Sequence, residues 1–244
     1  MVNVLQQDKT IGSAQAKLLR MNTDKLYDCA GDYLGPLGFL IERSRGAKDT
    51  GQLDFIANIL SAKSAASIIR ADLFRRIGGF DEDFYMYLEE TDLSWRVWLA
   101  GSRVVFIPRA VVYHAFNTPK KSFKKYYPKY TVRYYGCRNY ITTLVKNLEL
   151  RSLVCFLPVH IFCWLTIATL FLLKGSISDW FYIIKGVFWN LLNIDILVKK
   201  HRFNNKNIRE VSDYTILKDV QFKETPGDYI RKIGIYFRKK SGRP

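Results

Sequence analysis

From Ser152 to Leu173 the chain reads SLVCFLPVHIFCWLTIATLFLL, 22 residues without a formal charge, closed by Lys174. A run this long and this apolar must be shielded from water over its whole extent. As a helix rising about 1.5 Å per residue it is long enough to cross a hydrocarbon core about 30 Å thick. The other solution is a helix buried in a protein core. Pro158 is tolerable in a membrane helix, which it kinks. The run lies past the middle of the chain, so it does not read as a secretory signal.

The charge distribution narrows the choice. The 244 residues carry a formal net charge of +16. Residues 1–116 hold 14 Lys/Arg against 14 Asp/Glu, and residues 152–198 hold 2 against 2. Residues 117–151 hold 9 against 1 and residues 199–244 hold 13 against 5, so each flank of the apolar block carries +8. Such flanks fit anionic lipid headgroups on a cytoplasmic face. Nucleic acid is not an expected partner, because no RNA- or DNA-recognition motif is present and an apolar block between the basic segments is out of place. Cys29, Cys137, Cys155 and Cys163 show no CxxC spacing, which argues against structural zinc and a disulfide scaffold.

A second apolar segment, Ile177–Val198, is interrupted. Asp179, Tyr182, Gly186, Asn190 and Asn193 recur every three to four residues as a polar stripe, with Trp180, Ile184, Val187, Phe188 and Leu191 on the other side. This predicts an amphipathic helix that lies in the membrane interface or packs on the first. With both basic flanks on one side of the membrane, the block must enter and return, as a hairpin or as a re-entrant or interfacial pair.

The first 116 residues alternate strand and helix signals, which predicts an α/β or α+β layer. Ile11–Leu19 and Ser67–Ile69 read as strands, and Ala71–Ile77 as a short helix closed by Gly78-Gly79. Asp92–Ala100 reads as a helix ended by Gly101, and Val104–Ile107 and Val111–Tyr113 as strands broken at Pro108. Tyr27–Gly51, with five glycines, reads as loop and turns.

The densest chemistry is GGFDEDFYMYLEETD, Gly78 to Asp92, which holds Asp81, Glu82, Asp83, Glu89, Glu90 and Asp92. Two readings of it stand. The last three carboxylates sit at a helix start, where they cap the helix and complement its dipole. Alternatively, one of them is held ionised in a cleft as a general base. His114 follows at a strand end, as a core or surface residue or as a ligand.

Taken in order, these elements resemble the C-terminal half of a family 2 glycosyltransferase of the rhamnosyltransferase-like kind. The matching run begins at Ile11–Leu19, passes Arg45-Gly46 and Asp49-Thr50-Gly51-Gln52, and continues through Ser64–His114 and Arg133–Ile141. The resemblance implies an α/β chain with a partial GT-A (Rossmann-like) domain, its acceptor half, followed by membrane-associated helices. The divisions expected are 1–116 for the GT-A part, 117–151 for a basic aromatic linker or helix, 152–198 for membrane-associated helices and 199–244 for a basic cytoplasmic tail. The implied activity is inverting transfer of a sugar from a nucleotide-sugar donor to a glycan or lipid-linked acceptor, on the cytoplasmic face of a membrane.

The family's base position matches Glu90, and His114 matches its occasional metal ligand. Asp81, Glu89, Asp92 and Trp95 are expected on the acceptor side, and Trp98 and Tyr87 are further candidates for sugar stacking; on their helix Trp95 and Trp98 read equally well as core residues. The basic segment Lys120–Arg138, with Tyr126, Tyr127, Tyr130, Tyr134 and Tyr135 interleaved, suits a lipid phosphate or a membrane surface; it also reads as a solvated linker. The cofactor implied is Mg²⁺ or Mn²⁺, held by an Asp-x-Asp-type motif ahead of the Ile11 strand. That motif is not in this sequence, so the chain is expected to be incomplete and inactive alone: a truncated product, a mis-started frame, or one half of a split enzyme with a separate donor-binding half as its partner. The rival expectation is a non-catalytic, membrane-anchored remnant or interaction module.

Overall fold

The structure, a computed structural model, describes residues 1–115 and 129–222, without the side chains of Lys129 and Tyr130. Lys120–Pro128 of the basic aromatic segment, with Tyr126 and Tyr127, and residues 223–244 of the basic tail lie outside it.

A short helix, α1 (Val2–Gln7), leads into β1 (Ile11–Arg20), the axis of the sheet. Small residues (Gly12, Ser13, Ala14, Ala16) and partnered polar ones (Gln15 to the Cys29 carbonyl, Lys17 to Asp49 and Asp54) let β1 be buried on both faces. Three short strands follow: β2 (Tyr27–Cys29), β3 (Asp32–Leu34) and β4 (Leu40–Glu42). Tyr27–Gly51 is therefore more than loop and turns, but strands of three residues are too short to show an alternation. After them come β5 (Ala57–Asn58), β6 (Ser67–Ile69), α2 (Ala71–Arg76), α3 (Glu89–Leu99) and β7 (Arg103–His114). β7 runs parallel to β1 along its length, and β5 pairs antiparallel with β7. The opposite edge of β1 is shared by β6 and β2, both antiparallel. β3 and β4 form a separate hairpin.

Two strands broken at Pro108 were expected, and one strand is observed. Its pairing with β1 jumps from Ala16–Ile107 to Lys17–Val111, so residues 108–110 bulge out of the ladder. A proline inside the bulge has no ladder hydrogen bond to lose. Helix α3 starts three residues before Asp92, which puts Glu89, Glu90 and Asp92 in its first turn. Its Trp95 and Leu99 pack into the main core with Phe106 and Leu34. Gly12 lets the sheet approach α2 and α3 this closely, since a Cβ there would come within 2.5–2.8 Å of Leu73, Ser102 and Val97.

The rest is helical: α4 (Lys129–Asn147), α5 (Leu150–Leu173), α6 (Ile177–Leu192), α7 (Ile194–Phe203) and α8 (Asp213–Val220). Among them, α5 is long and apolar enough to cross a membrane. Helix α4 is a shared wall. Its Leu144, with Leu148 beyond its end, enters the main core, and its Cys137, Ile141 and Val145 enter a second core with Trp164, Ala168 and Ile183.

Candidate active site

The parallel strands β1 and β7 end at Arg20 and His114, and a pocket of about 240 Å³ opens beside those ends. Clefts outside the carboxyl ends of parallel strands are the usual ligand sites of α/β sheets. The chemistry-bearing walls are Asp28, Glu42, Lys63, Glu89, Glu90 and His114. Three of the side chains singled out in the sequence, Glu89, Glu90 and His114, thus meet here although up to 25 residues separate them.

Lys63 organises the acidic side. Its ammonium lies 2.9 Å from Asp32, 3.7 Å from Glu42 and 4.0 Å from Glu90. Burial alone would lower its pKa, but Asp32, Glu90 and Glu42 hold it well above the usual lysine value, so it stays charged. Asp32 is fully buried, and burial pushes its carboxyl up to about 6 against the pull of Lys63. Burial also raises the pKa of Glu90; Lys63 opposes the shift and Glu89 adds to it. Glu90 is therefore a more basic carboxylate than an exposed one, with a cation beside it that favours the ionised form. A partly buried carboxylate of raised basicity is a group that can accept a proton from a donor entering the cleft.

On the opposite wall, His114 Nδ1 lies 2.7 Å from Asp28 Oδ2, and Arg20 approaches the other Asp28 oxygen at 3.9 Å. A carboxylate at Nδ1 fixes the orientation of the imidazole. Among the described residues, no group of three or more His, Cys, Asp or Glu side chains is arranged to hold a metal ion. His114 is engaged by Asp28, and Asp32, Glu42 and Glu90 surround an ammonium. This donor set does not by itself fit the divalent cation implied by the family resemblance.

The backbone that delivers Glu89 and Glu90 is strained. Tyr85, Tyr87 and Leu88 have φ of 58°, 65° and 65°, a region that side-chain-bearing residues rarely occupy. Helix α4 holds the loop in place. Asn139 Nδ2 donates to the carbonyls of Phe84, Met86 and Tyr87 at 2.8–3.0 Å. Arg138 donates to those of Phe84, at 3.2 Å, and Asp83. The Arg138-Asn139 pair inside the RYYGCRNYI match is thus the clamp for the loop before α3.

The other expected acceptor-side residues lie elsewhere. Trp95 is 1% exposed in the core and offers no surface to an acceptor. Asp92 is fully buried, 2.8 Å from Arg96 and 2.9 Å from Lys146. Burial works against its charge, but Lys146 and Arg96 hold its pKa below the ordinary carboxylate value. Asp81 pairs with Lys200 at 2.6 Å and with Lys146, so it ties the α/β layer to α4 and α7. In both, one carboxylate neutralises cations of the helical layer. Trp98 is also in the core, where its indole N–H donates to the Ile59 carbonyl at 3.0 Å.

Lys63, Asp32, Glu42 and Asp28 were not singled out in the sequence. Lys63 had one signal, a lone charge in the small-residue run SAKSAAS. The acids come from three-residue strands within the glycine-rich stretch, where no pattern separates them from solvated loop charges.

No family model matches the chain. A stretch of 47 residues is 43% identical to N-acetylglucosaminyl-diphospho-decaprenol L-rhamnosyltransferase of Mycobacterium tuberculosis, covering 19% of this chain and 15% of that protein. A longer stretch of 109 residues is 25% identical to rhamnosyltransferase WbbL of Escherichia coli, covering 45% of this chain and 40% of that protein. The chain thus spans less than half the length of either relative, and over that part it is related to rhamnosyltransferases, a glycosyltransferase-like relationship.

Proposed function

We propose that the pocket is the acceptor side of an inverting, GT-A-type glycosyltransferase and that Glu90 is its base. The observation that carries this reading is the position of Glu90: in the pocket, at the first turn of α3, 4.0 Å from Lys63 and raised in basicity by burial. The donor is a nucleotide sugar, and the acceptor is a glycan or lipid-linked glycan at the cytoplasmic face of a membrane. In the step proposed, the acceptor hydroxyl gives its proton to the Glu90 carboxylate as its oxygen bonds to the anomeric carbon. The bond from that carbon to the diphosphate breaks, the diphosphate leaves with the electron pair, and the configuration inverts. Lys63 keeps Glu90 ionised before the proton arrives. His114, oriented by Asp28, faces the same cleft. No step is assigned to a divalent cation, because the described residues around the pocket do not form a ligand set for one.

The test is sugar incorporation by membranes of cells that make the chain, supplied with radiolabelled nucleotide sugars and lipid-linked acceptors. Glu90→Gln is expected to lower turnover by about 10² or more, the usual contribution of a general base. Transfer at the parental rate by that variant refutes the base. No incorporation from any nucleotide sugar by the parent, with a donor-binding half supplied alongside it, refutes the transferase reading and favours a non-catalytic, membrane-attached role.

A further inference from the structure

Helix α6 is amphipathic with its faces reversed. The polar stripe predicted from Asp179, Gly186 and Asn190 is buried together with Ile183 and Val187, while Phe181, Phe188, Leu191 and Leu192 face outward. Asp179 pairs with Arg133 of α4 at 2.8 Å. Asn190 donates to the Arg138 carbonyl at 3.1 Å and accepts from the Thr142 hydroxyl at 2.8 Å. Gly186 lets the two backbones meet, since a Cβ there would come within 3.0 Å of the Tyr134 carbonyl. Outside, Phe188 is 55% and Leu192 80% exposed. A helix on a water-soluble surface shows the opposite arrangement.

Helix α5 continues the apolar surface. It packs on α4 and α6 through His160, Trp164 and Ala168, and presents Val154, Phe162 and Leu173 outward along its whole length. Most large exposed apolar side chains among the described residues fall between Leu150 and Phe203.

Although α5 is long enough to span, it is attached to the rest of the chain at three levels. Near its start, Leu153 and Phe156 pack against the main core. At its middle, His160 Nδ1 bonds to the Leu37 carbonyl at 2.9 Å, in the turn of the β3–β4 hairpin. Near its end, Phe171 lies under the Arg133 guanidinium at 4.5 Å. A spanning α5 would carry that turn and the Arg133–Asp179 pair into the hydrocarbon, where charged and irregular backbone groups are costly.

We propose that the chain binds one leaflet of an anionic membrane in plane, through the outward faces of α5 and α6, and does not cross it. Charge complementarity selects lipid as the occupant: Arg151, Lys174, Lys185, Lys199 and Arg202 are exposed on α5 to α7, against one exposed acid, Asp195. This deepens the membrane part of the proposed function, and its readout is lipid binding, so it fails or stands apart from sugar transfer.

The test uses the full chain mixed with vesicles of phosphatidylglycerol and phosphatidylcholine, or of phosphatidylcholine alone. Flotation with the anionic vesicles is expected, with at least a tenfold loss for F162E/F188E. Both side chains are more than half exposed, so the variant should keep the parental circular dichroism and urea midpoint. Topology is read separately by an impermeant maleimide on R151C and on K174C, with Cys155 and Cys163 changed to Ser. These sites are about 35 Å apart along α5. Equal labelling of both from outside intact vesicles is expected. Labelling of one end only, until the vesicles are permeabilised, overturns the in-plane arrangement. So does undiminished flotation of F162E/F188E, or a stable dimer lost in that variant with no vesicle binding by the parent, which would make a second copy the occupant.

Discussion

Replacing Lys63 with methionine removes the cation beside Glu90, leaving Arg45 as the other basic residue that lines the pocket, and keeps most of the side-chain volume. At 4.0 Å, two unit charges in an effective dielectric of about 20 interact by about 4 kcal/mol, equivalent to about three pKa units. That figure is a ceiling. Lys63 is shared with Asp32 and Glu42, and the Lys63 and Glu90 side chains are 25% and 18% exposed, so solvent screens part of the interaction. A rise of about one unit in the Glu90 pKa is the reasonable expectation. The sign is fixed, because losing a nearby cation favours the protonated carboxyl, which already benefits from burial and Glu89. The assay is the pH profile of kcat/KM: its acid limb should move up by about one unit, with the plateau nearly unchanged and Lys63→Arg close to the parent. Asp32 gives a second readout. Its pKa, about 6 when folded against 3.8 as the reference, contributes stability that is present below the lower value and lost as pH rises through the higher. Without Lys63 that loss should deepen, so Lys63→Met should melt furthest below the parent above neutral pH and recover on acidification. An acid limb that stays in place or moves down refutes the role given to Lys63.

Two further perturbations test the frame of the site. Asn139→Leu leaves the carbonyls of Phe84, Met86 and Tyr87 without their shared donor and should cost about 2–4 kcal/mol in urea unfolding, with a larger fall in turnover than in acceptor binding; parental stability and turnover would remove the clamp from the mechanism. Asp81 has a depressed pKa: burial raises it, and Lys146 and Lys200 more than reverse that. Its contribution is present above the unfolded carboxylate pKa and lost as pH falls through the folded one, so the urea-midpoint gap between the parent and Asp81→Asn should close below about pH 4; a gap constant down to pH 2 contradicts the pairing.

The sequence carried the parts of the fold whose signals are local. Ser67–Ile69 is a strand with the expected bounds, and β1 and α2 agree to within a residue. Glu90 and His114 stood out through the family resemblance, Glu90 within the acidic run before α3 and His114 at the end of a β-branched strand. Contacts between distant segments were not. Lys63 meets Glu90 and Asp32 only after β3 and α3 come together on the sheet, and nothing in SAKSAAS records that. For Trp95, helical spacing marks a residue on a face without saying which face is buried. The length of the apolar run around Pro158 measures hydrophobicity alone, whereas the bond from His160 to Leu37, which ties the middle of α5 to the β3–β4 turn, has no local signal. On α6 the polar stripe was legible and its direction was not, because inside and outside are defined by α4.

The β3–β4 hairpin reaches from Asp32 and Glu42, beside Lys63, to a turn where Gly38 lies against His160 and Phe39 stacks on it at 4.2 Å between ring centres. From Phe39 to Glu42 is three residues of strand, about 10 Å. With α5 lying in a leaflet, this strut fixes the height of the pocket above the lipid. Acceptors would then be sorted by stature as well as by chemistry. Were the proposed transfer to take place there, a hydroxyl near the lipid would reach Glu90 more readily than one on a longer glycan. Lengthening the strut by two residues should shift the preferred acceptor outward by about 7 Å, roughly one sugar.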